Sequence, residues 1–303
     1  MSDVRIIDVG PRDGLQNESV AIPSAARVEL INALVAAGIR TVEVGSFVSP
    51  RAVPQMARTD EVLAGVSRPP GVLYPVLVPN LRRFEEARKA GVDCVGIFAA
   101  TTESFTQRNL DCSVAESLVR FGEVAKAALA QGMKVRGYVS CAVHCPFEGW
   151  VDPARTADIA LSLAQMGCYE ISLCDTTGAG TPAQARAMVG AVRAAIPLER
   201  LAVHFHDTYG QALANTMAAL DEGIGAVDSS VAGLGGCPFA PGAAGNLATE
   251  DLLYMLEGLG VSTGVDLDRV VAAGRAITSL LGRRSPSRVA AVNTRARFSQ
   301  LSV

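Results

Sequence analysis

Eight short, nearly unbroken apolar runs rich in β-branched residues recur along the chain, each followed by a loop and then by a segment with helical spacing. They begin with VRIIDVG at Val4, TVEVGSF at Thr41, VLYPVLV at Val72 and CVGIFAA at Cys94. KVRGYVSC at Lys134, EISLCDT at Glu170, LAVHFHD at Leu201 and AVDSSVAG at Ala226 continue the series. Strands without a polar face are buried on both sides, as parallel strands are when helices cover them. Eight such units predict an α/β fold, a (β/α)8 TIM barrel. An open doubly wound sheet shares the alternation but not the strand count. The helices carry ordinary start signals: Thr181 and Pro182 precede Met188, Val189 and Val192 on one face, and Asp152 and Pro153 open the helix before the sixth strand.

No linker rich in Pro, Gly or Ser interrupts the alternation, so one domain is expected over 1–303, with the barrel at about 4–260. A C-terminal helical segment and tail over about 264–303 would follow, the extra helix running from Asp266 to Gly282 and the polar, basic stretch beyond it solvated or partly ordered. Lys and Arg total 27 against 30 Asp and Glu, without a basic stripe interleaved with aromatics, which argues against nucleic acid. The opening residues lack a secretory signal and no run is long enough for a bilayer, so no membrane partner is expected. Seven cysteines, an odd count scattered through apolar runs, suit reduced thiols in a cytoplasm. Cys94, Cys112, Cys168 and Cys174 read as buried structural thiols, and Cys141 and Cys145 lack the partner pair that a zinc site needs.

In a barrel of this kind the active site lies at the carboxyl ends of the strands. Arg12 and Asp13 follow strand one, Glu43 lies in strand two, Asp175 ends strand six, His204 and His206 lie in strand seven, and Cys237 and Asn246 follow strand eight. Strands seven, eight and one are neighbours in a closed barrel, which gathers Asp13, His204, His206 and Asn246 in one sector. Residues two apart on a strand face the same way, so both imidazoles point into the barrel, where a metal or a proton is the reason to have them. Two imidazoles, a carboxylate and an amide oxygen form a set without thiolate. That set suits Mg2+ or Mn2+ better than zinc. Arg12 cannot lose its proton and is fitted to negative charge developing on an oxygen. Glu43 and Asp175 fit strand-end ion pairing and a direct role equally well. Cys237, in a glycine-rich stretch from Val231 to Asn246, is either a small loop residue or a thiol that moves a proton.

Taken together, the motifs resemble the 3-hydroxy-3-methylglutaryl-CoA lyase family of metal-dependent TIM-barrel lyases, over nearly the whole chain. The resemblance rests on GPRDGLQNE (10–18), SFVSPRAVPQM (46–56), SCAVHCPFEG (140–149), LCDTTGAGTP (173–182), VHFHDTYGQALAN (203–215) and SVAGLGGCPFAPGAAGN (230–246). It implies a cation on Asp13, His204, His206 and Asn246, an enolate-stabilising Arg12 and a catalytic thiol at Cys237, with Glu43 and Asp175 supporting the site. Implied too are an acyl-CoA substrate and cleavage of 3-hydroxy-3-methylglutaryl-CoA to acetyl-CoA and acetoacetate, with His204 or Asp13 relaying the hydroxyl proton. A homodimer is expected. His144 stands at the strand-five rim, where an acyl chain would pass, and makes a longer or differently branched hydroxyacyl-CoA the alternative substrate. The rival enzyme class is a Claisen-type acyltransferase of the isopropylmalate synthase kind, and the rival outside enzymes is an inert ligand-binding barrel.

Overall fold

The computed structural model describes residues 3–236 and 245–292. Each apolar run yields strand: β1 (Arg5–Asp8), β2 (Thr41–Val42, resuming at Gly45–Ser46), β3 (Val76–Leu77), β4 (Cys94–Ala100), β5 (Lys134–Ser140), β6 (Glu170–Asp175), β7 (Leu201–Phe205) and β8 (Ala226–Ser229). Their pairings are all parallel, from β3 with β4 through β4–β5, β5–β6, β6–β7 and β7–β8 to β8–β1. The first half of β2 pairs with β1, Ile7 opposite Thr41, and its second half pairs with β3, Gly45 opposite Val76. Since both halves are one stretch of chain, the sheet returns on itself as an eight-stranded barrel. β3 is shorter than its apolar run because Pro75 has no N–H for the ladder, although its carbonyl accepts from Val44 N at 3.1 Å.

Strand alternation then separates two environments. Val203 and Phe205 of β7 join the large apolar cluster shared with the surrounding helices, whereas Ala202 packs with Ile7, Val9 and Ala226 in a small separate cluster. His204 and His206 share the phase of Ala202 and face inward at the carboxyl end of the barrel. Between strands the expected helix starts are in place. Asp152 Oδ1 accepts from Ala154 N at 2.9 Å ahead of helix Pro153–Gln165, and Gln184 Oε1 accepts from Thr181 N at 2.8 Å at the head of helix Pro182–Arg193.

The extra helix spans Leu267–Leu280, buries Val270, Val271 and Ile277, and packs against helix Ser24–Ala36. The stretch after it, exposed or half-buried for the most part, is tied to the barrel as far as residue 292. Ser287 Oγ donates to Asp251 Oδ1 at 2.6 Å, Ser285 Oγ donates to Ala232 O at 3.1 Å, and Arg283 pairs with Glu18. Arg283 and Ser287 in that stretch find carboxylates on the barrel, which composition alone does not reveal. The six described cysteines are free and buried. No helix among the described residues is long and apolar enough to cross a membrane.

Candidate metal centre and active site

Directly after β1 the chain makes a single wide turn, Gly10–Gly14, in which Asp13 N and Gly14 N both donate to Val9 O, at 2.7 and 3.2 Å. The turn lies tight against the segment after β8: a Cβ on Gly14 would fall 2.6 Å from Leu234 Cβ. Only glycine permits that approach. The turn throws Arg12 and Asp13 over the barrel mouth. Arg12 Nε donates to Glu43 Oε2 at 2.7 Å, its Nη1 donates to Asp13 Oδ1 at 2.6 Å, and Tyr138 Oη donates to Glu43 Oε1 at 2.9 Å. A planar fork gripped on two sides has little freedom to swing.

Asp13, His204 and His206 each offer a ligand atom, and these atoms lie within 4.8 Å of one another. Asn246 adjoins the group: its Nδ2 donates to Asp13 Oδ2 at 2.9 Å and to Leu234 O at 3.1 Å. Two acceptors on that side require the NH2 end, which leaves Oδ1 free. Among the described residues Asn246 Oδ1 and His206 Nδ1 are buried without a hydrogen-bond partner. Orphaned acceptors beside a carboxylate are costly unless a ligand satisfies them, and an oxygen-rich set with imidazole fits a divalent cation.

The electrostatics agree. Burial works against the Asp13 charge, but Arg12 and the two imidazoles hold its carboxyl down at about 2. Burial, reinforced by His204, lowers His206 to about 4, so it is a neutral imidazole of the kind that binds metal. Burial also acts against His204, yet Asp228 and Asp13 raise it overall. Burial pushes the Glu43 carboxyl up against the pull of Arg12, whose guanidinium is desolvated but held in its charged form by Glu43 and Asp13.

Arg12, Asp13, Tyr138, His204 and His206 border a cavity of about 590 Å³ whose walls also include Phe98, Phe105, Leu77 and Val53. A second cavity, of about 640 Å³, lies along residues 253–267. Its size is similar, but the cluster of convergent ligands belongs to the first. Asp175 does not border that cavity; its Oδ2 accepts from Gly180 N at 2.8 Å and closes the turn whose Thr176 does. Cys237 lies outside the described residues, but its neighbour Gly236 lines the cavity. His144 is not among the cavity's lining residues: its Nδ1 lies 3.2 Å from Thr177 Oγ1 and its ring stands edge-on to Trp150.

A match to the HMGL-like family model extends over residues 3–277. The chain belongs to the HMGL-like family. Within that family, the bovine "Hydroxymethylglutaryl-CoA lyase, mitochondrial" is 56% identical over 287 residues, covering 95% of this chain and 88% of the relative. A Pseudomonas aeruginosa relative, "3-hydroxy-3-isohexenylglutaryl-CoA/hydroxy-methylglutaryl-CoA lyase", is 55% identical and covers 95% of this chain and 96% of its own. The crystal structure of hydroxymethylglutaryl-CoA lyase from P. aeruginosa superposes with a TM-score of 0.94 at 54% identity, over 96% of this chain and 97% of that one.

Two further features of this HMGL-like barrel escape a motif reading. Tyr138 borders the cavity and props Glu43, and Asp228 lies behind His204 with 3.6 Å between its Oδ2 and His204 Nδ1. Both sit inside strands that read as apolar. A charged or phenolic residue at an inward strand position was the signal available.

Proposed function

We propose that this chain is a divalent-cation-dependent carbon–carbon lyase that cleaves 3-hydroxy-3-methylglutaryl-CoA to acetyl-CoA and acetoacetate. The observation that carries the reading is the convergence of Asp13, His204 and His206 beside a clamped Arg12 in one cavity, with Asn246 bonded to Asp13 and its amide oxygen left unpartnered. Asp13, His204, His206 and Asn246 would hold Mg2+ or Mn2+. A bound cation supplies Lewis acidity that lowers the pKa of the tertiary hydroxyl.

Asp13 and His204 both border the cavity, and of the two Asp13 keeps a lone pair for the hydroxyl proton once a cation is bound, whereas an imidazole would have to give up its second nitrogen. As the carbon–carbon bond breaks, negative charge collects on the thioester oxygen. Arg12, already fixed by Glu43 and Asp13, meets it without reorganising. Glu43 thereby acts through Arg12, and Asp175 through the turn it closes. Cys237 returns a proton to the enolate carbon, completing acetyl-CoA. We read 1–303 as one domain, acting as a homodimer in a cytoplasm, where six buried free thiols would stay reduced.

A second reading, a longer or more branched acyl group, is favoured by the apolar wall of Phe98, Phe105, Leu77 and Val53. Purified protein with Mg2+ or Mn2+ and a panel of 3-hydroxyacyl-CoA thioesters, assayed for acetyl-CoA, tests both. Fastest release from the methyl substrate supports the first reading, fastest release from an isohexenyl analogue the second. Silence across the panel overturns both.

A further inference from the structure

Below the cation site the barrel interior is filled by paired charges. Arg136 is fully buried; its Nη2 and Nη1 donate to the two oxygens of Asp228 at 2.6 and 3.1 Å, and its Nε donates to Glu170 Oε1 at 2.8 Å. The other Glu170 oxygen takes Arg5 Nη2 at 2.5 Å, at the start of β1. Ser172 Oγ donates to Asp228 Oδ2 at 2.8 Å, and that same oxygen faces His204 Nδ1 at 3.6 Å. Two guanidinium groups thus balance two carboxylates in a line from the amino-terminal end of β1 to the carboxylate behind His204.

We infer that Asp228 is a positioning residue that sets the tautomer and ring plane of His204, with Arg136 and Glu170 fixing the carboxylate. The inference rests on the reading of His204 as a cation ligand. Its physical ground is simple. Arg136 and Ser172 fix the Asp228 carboxylate, so it cannot swing away from the ring. A neutral imidazole facing it with a nitrogen lone pair would be repelled, and one facing it with N–H would be attracted. The proton therefore belongs on Nδ1, and the Nε2 lone pair is left for the cation, as in carboxylate–histidine–metal arrangements generally. The charges of the line already cancel, so His204 need not be protonated to balance it.

The chain has three histidines, so an imidazole nitrogen NMR spectrum holds few signals, assignable with His144→Gln and His204→Gln. In the cation-free parent above neutral pH, His204 is expected in the Nδ1–H form, and the Nε2–H form would overturn the inference. Asp228→Asn can turn its amide N–H toward Nδ1. It should weaken Mn2+ binding roughly 10- to 100-fold and shift His204 toward the Nε2–H form. Parental Mn2+ affinity in a folded Asp228→Asn protein would also overturn it. If that variant does not fold, the parent's tautomer spectrum decides. A parent that binds no Mn2+ at all refutes the cation reading instead, a result separable from the tautomer measured without metal.

Discussion

Asn246 Nδ2 donates to Asp13 Oδ2 at 2.9 Å, joining two residues that stand 233 positions apart in the chain. The contact exists because β8 and β1 are neighbours at the closure of the barrel, and it leaves the amide oxygen buried without a hydrogen-bond partner. Asn246→Ala removes both that oxygen and the brace on Asp13. Calorimetric titration should show Mn2+ affinity falling roughly tenfold or more, with about 1 kcal/mol lost from stability. Undiminished affinity would take Asn246 out of the ligand set.

Arg12→Lys keeps the charge and loses the fork that Glu43 and Asp13 grip. Because the guanidinium meets charge that grows only as the bond breaks, kcat should fall roughly 100-fold or more while KM changes little. Steady-state kinetics with the preferred thioester separates the two constants. An unchanged kcat would reduce Arg12 to a structural ion pair.

Cys237→Ser raises the donor pKa by several units while preserving size, so turnover should drop by orders of magnitude. Mn2+ affinity should stay at the parental level, since the proposed ligand set does not include the thiol. Bound substrate should also slow alkylation of Cys237. Turnover at the parental rate, or an acyl group trapped on Cys237 in a mass spectrum, would contradict the proton-carrier role.

Asp8 and Glu250 are fully buried, and burial raises their carboxyls to about 7 and about 8. In the unfolded chain both revert to values near 4, so around neutrality the folded protein holds protons that the unfolded chain has released. Folding free energy therefore declines as pH rises toward these values and levels off above them, by on the order of 1 kcal/mol per pH unit for each group. His206, lowered to about 4, acts in the opposite sense, but only below its unfolded value of about 6.5. Melting of the cation-free protein should thus move to lower temperature between about pH 6.5 and 8.5, and Glu250→Gln should flatten the trend. A melting temperature that climbs over that interval would refute the assignment.

Much of the barrel is legible in the sequence because period and apolarity report burial directly. Residues 204 and 206 share a strand face, and the shortest closure of eight parallel strands brings them beside Asp13 and Asn246. Other features depend on cancellations that no local pattern carries. The gap in β2 reflects pairing with different neighbours on each side. The anchoring of residues 283–292 depends on Glu18 and Asp251, which lie far away in sequence. Asp228, Arg136 and Tyr138 sit in strands whose outward positions are apolar enough to mask them.

The charge-filled middle of the barrel also bears on how such a sequence can drift. Replacing Arg136 alone strands Asp228 without a partner charge in the buried interior and leaves Glu170 only Arg5, a loss of about 3–5 kcal/mol for a broken buried pair. Exchanging the participants together for well-packed apolar side chains carries no such penalty. Neutral substitution at these positions is therefore open only through concerted steps. Tying Asp228 to His204 removes even that route for a descendant that keeps the cation, because the apolar exchange would free the ring.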